Sequence, residues 1–403
     1  MVFPIEIEKK GNIFRFQSEN IVFLSEDLAN MIPRDLCTLL RNAPDKRKAL
    51  ILSGARQVGK TTLLQEVVKA WENVLWLTGD APETQQMFEN PTLTRFQTAL
   101  AGIKVLVVDE AQRLPNAGLG LQLITDHLTH IRLLVTGSSA VELPSRLHAS
   151  LPGRTSEHRL YPISFAEMVN HHTLCEEKRL LPCRLVYGYY PDVVTHPGEA
   201  QKILQNLAQN LLDQEMLRLE GIKKPDKIVT LLHAIAFQLG SKVSYHELGR
   251  LVGMNSATIE KYVTMLEQSF VIYRLGSFSR NLRNELSKSH KIYFYDNGIR
   301  NALIGNFTAI ETRTDAGALW ENFFMSERLK LLQNNGRRVQ RYFWRTTGQQ
   351  EIDYVEEEEG TLTAFALKWG LSAKTKISKT FTKAYPEAVT TVVSPENYIS
   401  LIT

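Results

Sequence analysis

The chain has 403 residues, too many for one small core, so two to four domains are expected. Its 43% hydrophobic and 22% charged residues are ordinary for a globular protein, and no run reaches the roughly 18 apolar residues of a membrane span. A net charge of +4 permits a polyanionic partner without requiring one, so where the cations cluster decides that question.

Three scattered cysteines, Cys37, Cys175 and Cys183, make neither a disulfide framework nor a metal cluster. They are expected as buried free thiols in a reducing, cytoplasmic setting. The opening Met1-Val-Phe-Pro-Ile-Glu-Ile-Glu8 lacks the basic and apolar regions of a secretory signal.

Residues 1–45 read as a short extended piece and a helix near Arg34–Arg41. The apolar run Ala49-Leu-Ile-Leu52 then reads as a strand, and Thr62–Lys69 as a helix. Between them lies Gly54-Ala55-Arg56-Gln57-Val58-Gly59-Lys60-Thr61, a G-x-x-x-x-G-K-[ST] loop in the strand-to-helix setting that a phosphate-binding loop requires. The glycines let backbone N–H groups turn inward around phosphates, and the helix offers its N-terminal dipole to the same anion. Lys60 is placed to reach the β- and γ-phosphates of ATP, the Thr61 hydroxyl to ligate Mg2+, and Thr62 to complete the loop's contacts.

Val74–Leu77 reads as a second buried strand and Thr94–Leu100 as a helix. Ile103–Val108 is a third strand, ending in Asp109-Glu110. Such a strand delivers acids to the carboxyl edge of a parallel sheet, where ligands bind. Asp109 is expected to hold Mg2+, and Glu110 to orient and deprotonate the attacking water. Leu119–Thr129 is helical, and Ile131–Val135 a further strand capped by Thr136-Gly-Ser-Ser139. Ser138, with Thr136 second, either touches the γ-phosphate and water or caps the following helix. Arg154 precedes a strand at His158–Tyr161. It is either a trans-acting finger on a neighbouring subunit's γ-phosphate or a surface arginine in a local ion pair.

The loop, Asp109-Glu-Ala-Gln-Arg-Leu-Pro115, Thr136–Ser139, Leu151-Pro-Gly-Arg-Thr155 and Tyr161-Pro-Ile-Ser-Phe-Ala-Glu167 occur in this order. Together they resemble the bacterial and archaeal AAA+-type ATPases that carry a C-terminal domain of unknown function. Tyr187–Val194 is similar to that family's Gly-Gly-Tyr-Pro stretch, with Tyr189 where a second glycine is usual. The resemblance implies an oligomeric, ring-forming ATPase. It makes Pro191 a candidate contact near the adenine, unless Pro191 merely ends a lid helix.

Residues 166–225 are read as a helical lid. From 226 to 284 the pattern is helix, helix, turn, helix and strand pair, a winged helix-turn-helix. Its third helix carries only Lys261 as a cation. From Phe270 to Arg300 six basic residues face two acids, with aromatics interleaved. Lys261, Arg274, Arg280, Arg283, Lys288 and Lys291 are therefore candidate DNA contacts, reading shape rather than sequence, with a scaffolding winged helix as the alternative. Residues 285–403 resemble the PD-(D/E)xK nuclease fold. The resemblance places Glu321, Asp353 and Lys368 on three of its positions, with Ala366 where an acid belongs, so the site is expected to be degenerate and to cut nothing. Glu356–Gly360 is expected as a charged hairpin turn.

The expected fold class is α/β: a P-loop AAA+-like ATPase domain (46–165) after an N-terminal segment (1–45), a helical lid (166–225), a winged helix (226–284) and a C-terminal α/β restriction-endonuclease-like domain (285–403). The expected activity is ATP hydrolysis coupled to binding and remodelling of DNA, branched DNA included. A nucleotide-gated switch on protein–protein contacts and an ATP-coupled nuclease are the alternatives.

Overall fold

The structure, a computed structural model, describes residues 8–10, 13–15, 31–43, 48–138, 153–212, 225–279, 290–346, 348–370 and 377–403. They fall into two compact units, Met1–Tyr161 and Pro162–Thr403.

The first unit is built on a seven-stranded sheet. Its strands are β1 (Glu8–Lys10), β2 (Ile13–Arg15), β3 (Ala49–Ser53), β4 (Val74–Thr78), β5 (Val105–Asp109), β6 (Arg132–Gly137) and β7 (Thr155–Arg159), in the order β1-β2-β4-β5-β6-β3-β7. All neighbours are parallel except β1 and β2. β3 and β5 are buried at every position, because helices cover both faces of the central strands. That double burial is why they read as unbroken apolar runs rather than as alternation. Phe88, Phe96, Leu121 and Ile124, from three flanking helices, close one core against Ile51, Leu106, Val108 and Val135. β3 sits between β6 and β7, so the loop that follows it opens at the carboxyl edge beside Asp109 and Gly137.

The second unit carries another seven-stranded sheet: β8 (Lys242–Val243), β9 (Ile272–Ser277), β10 (His290–Phe294), β11 (Gln340–Arg345), β12 (Glu351–Glu358), β13 (Thr361–Leu367) and β14 (Val389–Val393), ordered β14-β13-β12-β11-β9-β10-β8. Helices Pro225–Phe237, Tyr245–Val252 and Ser256–Gln268 precede β9. Gly253, at φ 71°, makes the turn between the second and third of these, and β10 pairs antiparallel with both β8 and β9. β9 also pairs in parallel with β11 through Tyr342↔Gly276 and Phe343↔Ser277. The expected boundary at 284/285 thus falls inside one continuous sheet.

The short helices from Phe165 to Asn210, the stretch expected as a lid, belong to this same unit. Asn297 and Asn301, on the helix Asn297–Leu303, donate from Nδ2 to Leu185 O (3.1 Å) and Val186 O (2.8 Å). Glu327, fully buried on the long helix Ala316–Asn334, accepts from Phe165 N at 2.6 Å. Lys330 of that helix donates to Ile163 O at 2.9 Å and to Glu327 Oε1 at 2.6 Å. Tyr189, in place of the expected glycine, buries its ring and donates to Glu177 Oε1 at 2.6 Å. Gly188 beside it has φ 70°, and a Cβ there would lie 2.1 Å from Asp296 Oδ1.

Two expectations are corrected. β12 runs to Glu358, and the hairpin turn is Glu359-Gly360, both left-handed at φ 50° and 82°, as a tight two-residue turn requires. Glu356 is therefore a strand residue, buried, with its two carboxylate oxygens each 2.8 Å from Arg328 nitrogens. Of the cysteines only Cys37 is buried, while Cys175 and Cys183 are exposed free thiols, because their short helices lie at the surface.

Asp315 precedes the long helix and takes hydrogen bonds from Arg313 (2.8 Å to each oxygen) and Arg300 (2.5 Å). Burial raises its carboxyl, but the two arginines outweigh burial and bring it from 3.8 down to about 2. A depressed carboxyl contributes stability above its unfolded pKa and loses it as pH falls through the folded one. Asp315→Asn is therefore expected to cost about 2–3 kcal/mol at neutral pH, a deficit that shrinks as pH falls from about 4 to 2. Urea unfolding across that range checks it, and a deficit independent of pH counts against the assignment.

Candidate nucleotide site

Two glycines shape the loop after β3. Gly59 sits at φ 90°, a conformation that side chains resist, and caps the helix Lys60–Val68. Gly54 has no room for a side chain, because a Cβ would stand 2.3 Å from Leu160 O. Leu160 is fixed there by its own N–H, which donates to Ser53 O at 2.8 Å as β7 leaves β3. Ala55 and Val58 are buried, Arg56 is half-buried, and Gln57 (φ 59°) and Thr62 are exposed. Lys60 is 6% exposed and folds its ammonium back into the loop, donating to Gly54 O (2.9 Å) and Ala55 O (2.8 Å). A phosphate offers that ammonium a charged and stronger partner.

The two acids of β5 are held differently. Asp109 is buried and lies between two hydroxyls: Thr61 donates to Oδ2 at 2.8 Å, and Thr136 donates to Oδ1. The Thr136 oxygen also accepts from Glu110 N at 2.9 Å. Glu110 itself is left-handed, at φ 53°, an uncommon state for a side-chain-bearing residue. The turn fits because Gly79 has no Cβ: one placed there would lie 2.3 Å from Glu110 O. Gln112 then donates from Nε2 to Glu110 Oε2 (2.6 Å) and to Ser138 Oγ (3.0 Å), spanning the two. The Thr61 hydroxyl and the Asp109 carboxylate form a hard-oxygen pair that suits Mg2+, which takes one or two protein oxygens and completes its shell from phosphate and water.

Gly54–Thr62, Asp109, Glu110 and Ser138 thus all belong to the carboxyl edge of one sheet, as the sequence reading has it. Thr136, ranked behind Ser138, is the hydroxyl that touches both acids. Gln112 joins the site unannounced by any motif, its place two residues after Glu110 being the one signal of it in the sequence.

Arg154 is 55% exposed and paired with Asp126, whose side chain it meets through Nη1. Pro191 begins the helix Pro191–Thr195 in the second unit. Lys261 is exposed on the helix Ser256–Gln268, and Asn255 spends its side chain capping that helix, accepting from Thr258 N at 2.8 Å. Arg274 is 24% exposed and bound to Glu267 through Nε at 2.7 Å. Arg280, Arg283 and Lys288 lie outside the described residues.

Lys291 is a correction: expected on a nucleic-acid face, it is 1% exposed. β10 is buried from Lys291 through Phe294, and inside it Nζ meets Glu321 Oε1 at 3.1 Å and Glu351 Oε1 at 2.5 Å. Burial works to discharge it, but the carboxylates override burial and its pKa rises, so it stays an ammonium. Tyr293 donates to the same Glu321 oxygen at 2.6 Å. Asp353 accepts from Leu367 N at 2.7 Å, and Lys368 stands 3.8 Å away. Glu321, Asp353 and Lys368 therefore gather in one region of the second sheet, with Lys291 as an internal counter-ion. Among the described residues no group of three His, Cys, Asp or Glu side chains is arranged to hold a metal.

Comparison with known proteins assigns residues 46–169 to an AAA domain. Residues 178–309 match a domain of unknown function (DUF8612), and residues 316–400 match another (DUF4143). The chain thus carries an AAA-type, P-loop ATPase domain followed by two domains of unknown function. An uncharacterized protein of Mycobacterium tuberculosis is 28% identical over 347 residues, covering 83% of this chain and 73% of that protein. An uncharacterized protein of Haemophilus influenzae is 26% identical over 282 residues, covering 63% of this chain and 69% of that one. A solved Walker-type ATPase of Pyrococcus abyssi is similar with a TM-score of 0.48 and 15% identity, over 70% of this chain and 97% of that one. Among the described residues no helix is long and apolar enough to cross a membrane.

Gly54→Ala places a methyl against Leu160 O, and overpacking of this kind typically costs about 1–3 kcal/mol. The variant is expected to lower the melting temperature and to weaken ADP binding at least tenfold. A variant matching the wild type in both thermal shift and ADP titration would show that the contact is not needed.

Proposed function

We propose that this chain hydrolyses ATP at the Gly54–Thr61 loop. The observation that carries the reading is the 2.8 Å bond from Thr61 to Asp109 beside Glu110: loop, sheet edge and acid meet at one point. Loop amides and Lys60 hold the phosphates. Thr61 and Asp109 would hold Mg2+, which when bound neutralises charge on the β- and γ-phosphate oxygens. Glu110 takes the proton from water as the water attacks the γ-phosphorus, the bond from that phosphorus to the β–γ bridging oxygen breaks and ADP leaves, and Gln112 and Ser138 orient the Glu110 carboxylate and the water. Arg154, exposed and tied only by a surface pair to Asp126, supports a reading in which a ring neighbour's Arg154 completes the site.

Lys60→Ala is expected to abolish nucleotide binding. Glu110→Gln is expected to keep binding and to lower turnover by about 10²–10⁴-fold, the usual contribution of a general base. Phosphate release and ADP titration on both variants check this, and full turnover by Glu110→Gln removes the assigned role.

For the second unit we propose a winged helix joined to a PD-(D/E)xK-like module that does not cut. The first part is supported by the helix–turn–helix and its β9–β10 pair, the second by Ala366 and by the ammonium of Lys291 among the acids. DNA remodelling is the activity proposed for this unit, resting on Lys261 and on Arg280, Arg283 and Lys288. The switch on protein–protein contacts is favoured by a different observation: Arg274, Lys291 and Arg300 are committed to carboxylates, which thins the basic face. Both readings predict no cleavage of labelled DNA in Mg2+ or Mn2+. They part on turnover: stimulation of ATPase by duplex, single-stranded or branched DNA at low salt supports remodelling, and its absence with every DNA supports the switch. Cleavage lost in Asp353→Ala would instead restore the nuclease reading.

A further inference from the structure

The loop's geometry is held from outside by a residue with no motif around it. Arg34 precedes the helix Asp35–Arg41 and is half-buried. Its guanidinium donates from Nη1 to Val58 O at 3.0 Å and from Nη2 to Tyr161 O at 2.7 Å. The first acceptor is inside the phosphate loop. The second is the carbonyl after Leu160, the residue wedged against Gly54. One planar group thus ties the far side of the loop to the strand exit that bounds its near side.

The consequence follows from peptide geometry. In a trans peptide the carbonyl and the next N–H point in opposite directions. Drawing Val58 C=O toward Arg34 therefore turns Gly59 N–H away from Arg34. At φ 90°, Gly59 is free to accept that orientation, but glycine's own backbone freedom does not enforce it. The arginine is itself braced: Arg41, at the other end of its helix, bonds the Glu66 backbone carbonyl and pairs with Glu66 Oε1 at 3.1 Å on the Lys60–Val68 helix. The Asp35–Arg41 helix is in this way fastened to the helix whose N-terminus the loop forms.

We propose that Arg34 is a positioning residue for the nucleotide's phosphates, fixing the Val58–Gly59 peptide so that Gly59 N–H faces the phosphate chain. The inference rests on the ATP-binding reading. It assigns Arg34 no contact with substrate, so its effect falls on phosphate affinity and spares the hydrolytic groups.

The test is titration of fluorescent ADP and steady-state ATPase on the full chain, with wild type, Arg34→Ala, Arg34→Lys and Lys60→Ala side by side. Arg34→Ala removes both bonds and is expected to weaken ADP binding about 10- to 100-fold, in line with two charge-assisted hydrogen bonds. KM for ATP should rise in parallel, while kcat at saturation stays within about threefold, since the effect is one of uniform binding. Arg34→Lys reaches one carbonyl at a time and should fall between the two, with an unchanged melting temperature; millimolar guanidinium should restore part of the Arg34→Ala affinity. If Arg34→Ala does not fold, Arg34→Lys decides: ADP binding at least threefold weaker supports the proposal, and wild-type binding overturns it. Arg34→Ala that folds and binds ADP like wild type also overturns it, as does a loss confined to kcat. Wild type that fails to bind ADP, like Lys60→Ala, removes the ATP-binding reading itself and this inference with it.

Discussion

The carboxylate of Asp109 is the point on which the first unit turns. It is buried at the end of β5 and, among the described residues, pairs with no cation; each oxygen takes a hydroxyl: Thr61 from the phosphate-loop helix and Thr136 from β6. A buried charge without such partners would be costly enough to protonate or to open the sheet edge. Satisfying it sets three elements in register at once. The same Thr136 oxygen fixes Glu110 N, so the left-handed turn at Glu110 is secured by the hydroxyl that also hydrogen-bonds its neighbour. Gly54, Gly79 and Gly59 then matter for what they leave out: each clears space, or a backbone angle, that this convergence needs.

The second unit follows another rule. It buries whole ion pairs, Arg184 with Glu177, Lys330 with Glu327 and Arg328 with Glu356, and sets buried Lys291 against the half-buried Glu321 and Glu351. Such pairs return little net stability over apolar packing, because desolvation offsets attraction. Their effect lies in specificity, since an alternative packing that separates one pair strands a charge. Burial raises the carboxyls of Glu321 and Glu327, and Lys291 and Lys330 respectively pull against that rise.

The legible parts of the sequence were those in which local chemistry leaves no choice. The phosphate loop, the strand ending in two acids and the doubly covered strands were all readable from short windows, because glycine angles and unbroken apolar runs are local facts. Buried charge was not. Lys291 was read with the basic surface because its partner Glu321 lies 30 positions away, and Glu356 was read as turn because Arg328 lies 28 positions away. Arg34 left no trace at all, since both of its acceptors are backbone carbonyls and any residue supplies those. The 284/285 boundary was drawn from a change of pattern, but pairing between β9 and β11 depends on strands some 65 residues apart in sequence.

That parallel pairing has an evolutionary side. β9 has β10 on one flank and β11 on the other, so it is an interior strand shared by both halves of the second unit. A recombination event that moved either half alone would unpair the short junction of Gly276 and Ser277 with Tyr342 and Phe343, leaving an edge prone to sticking to other chains. A cut between β9 and β11 therefore leaves neither piece of the second unit with its sheet complete.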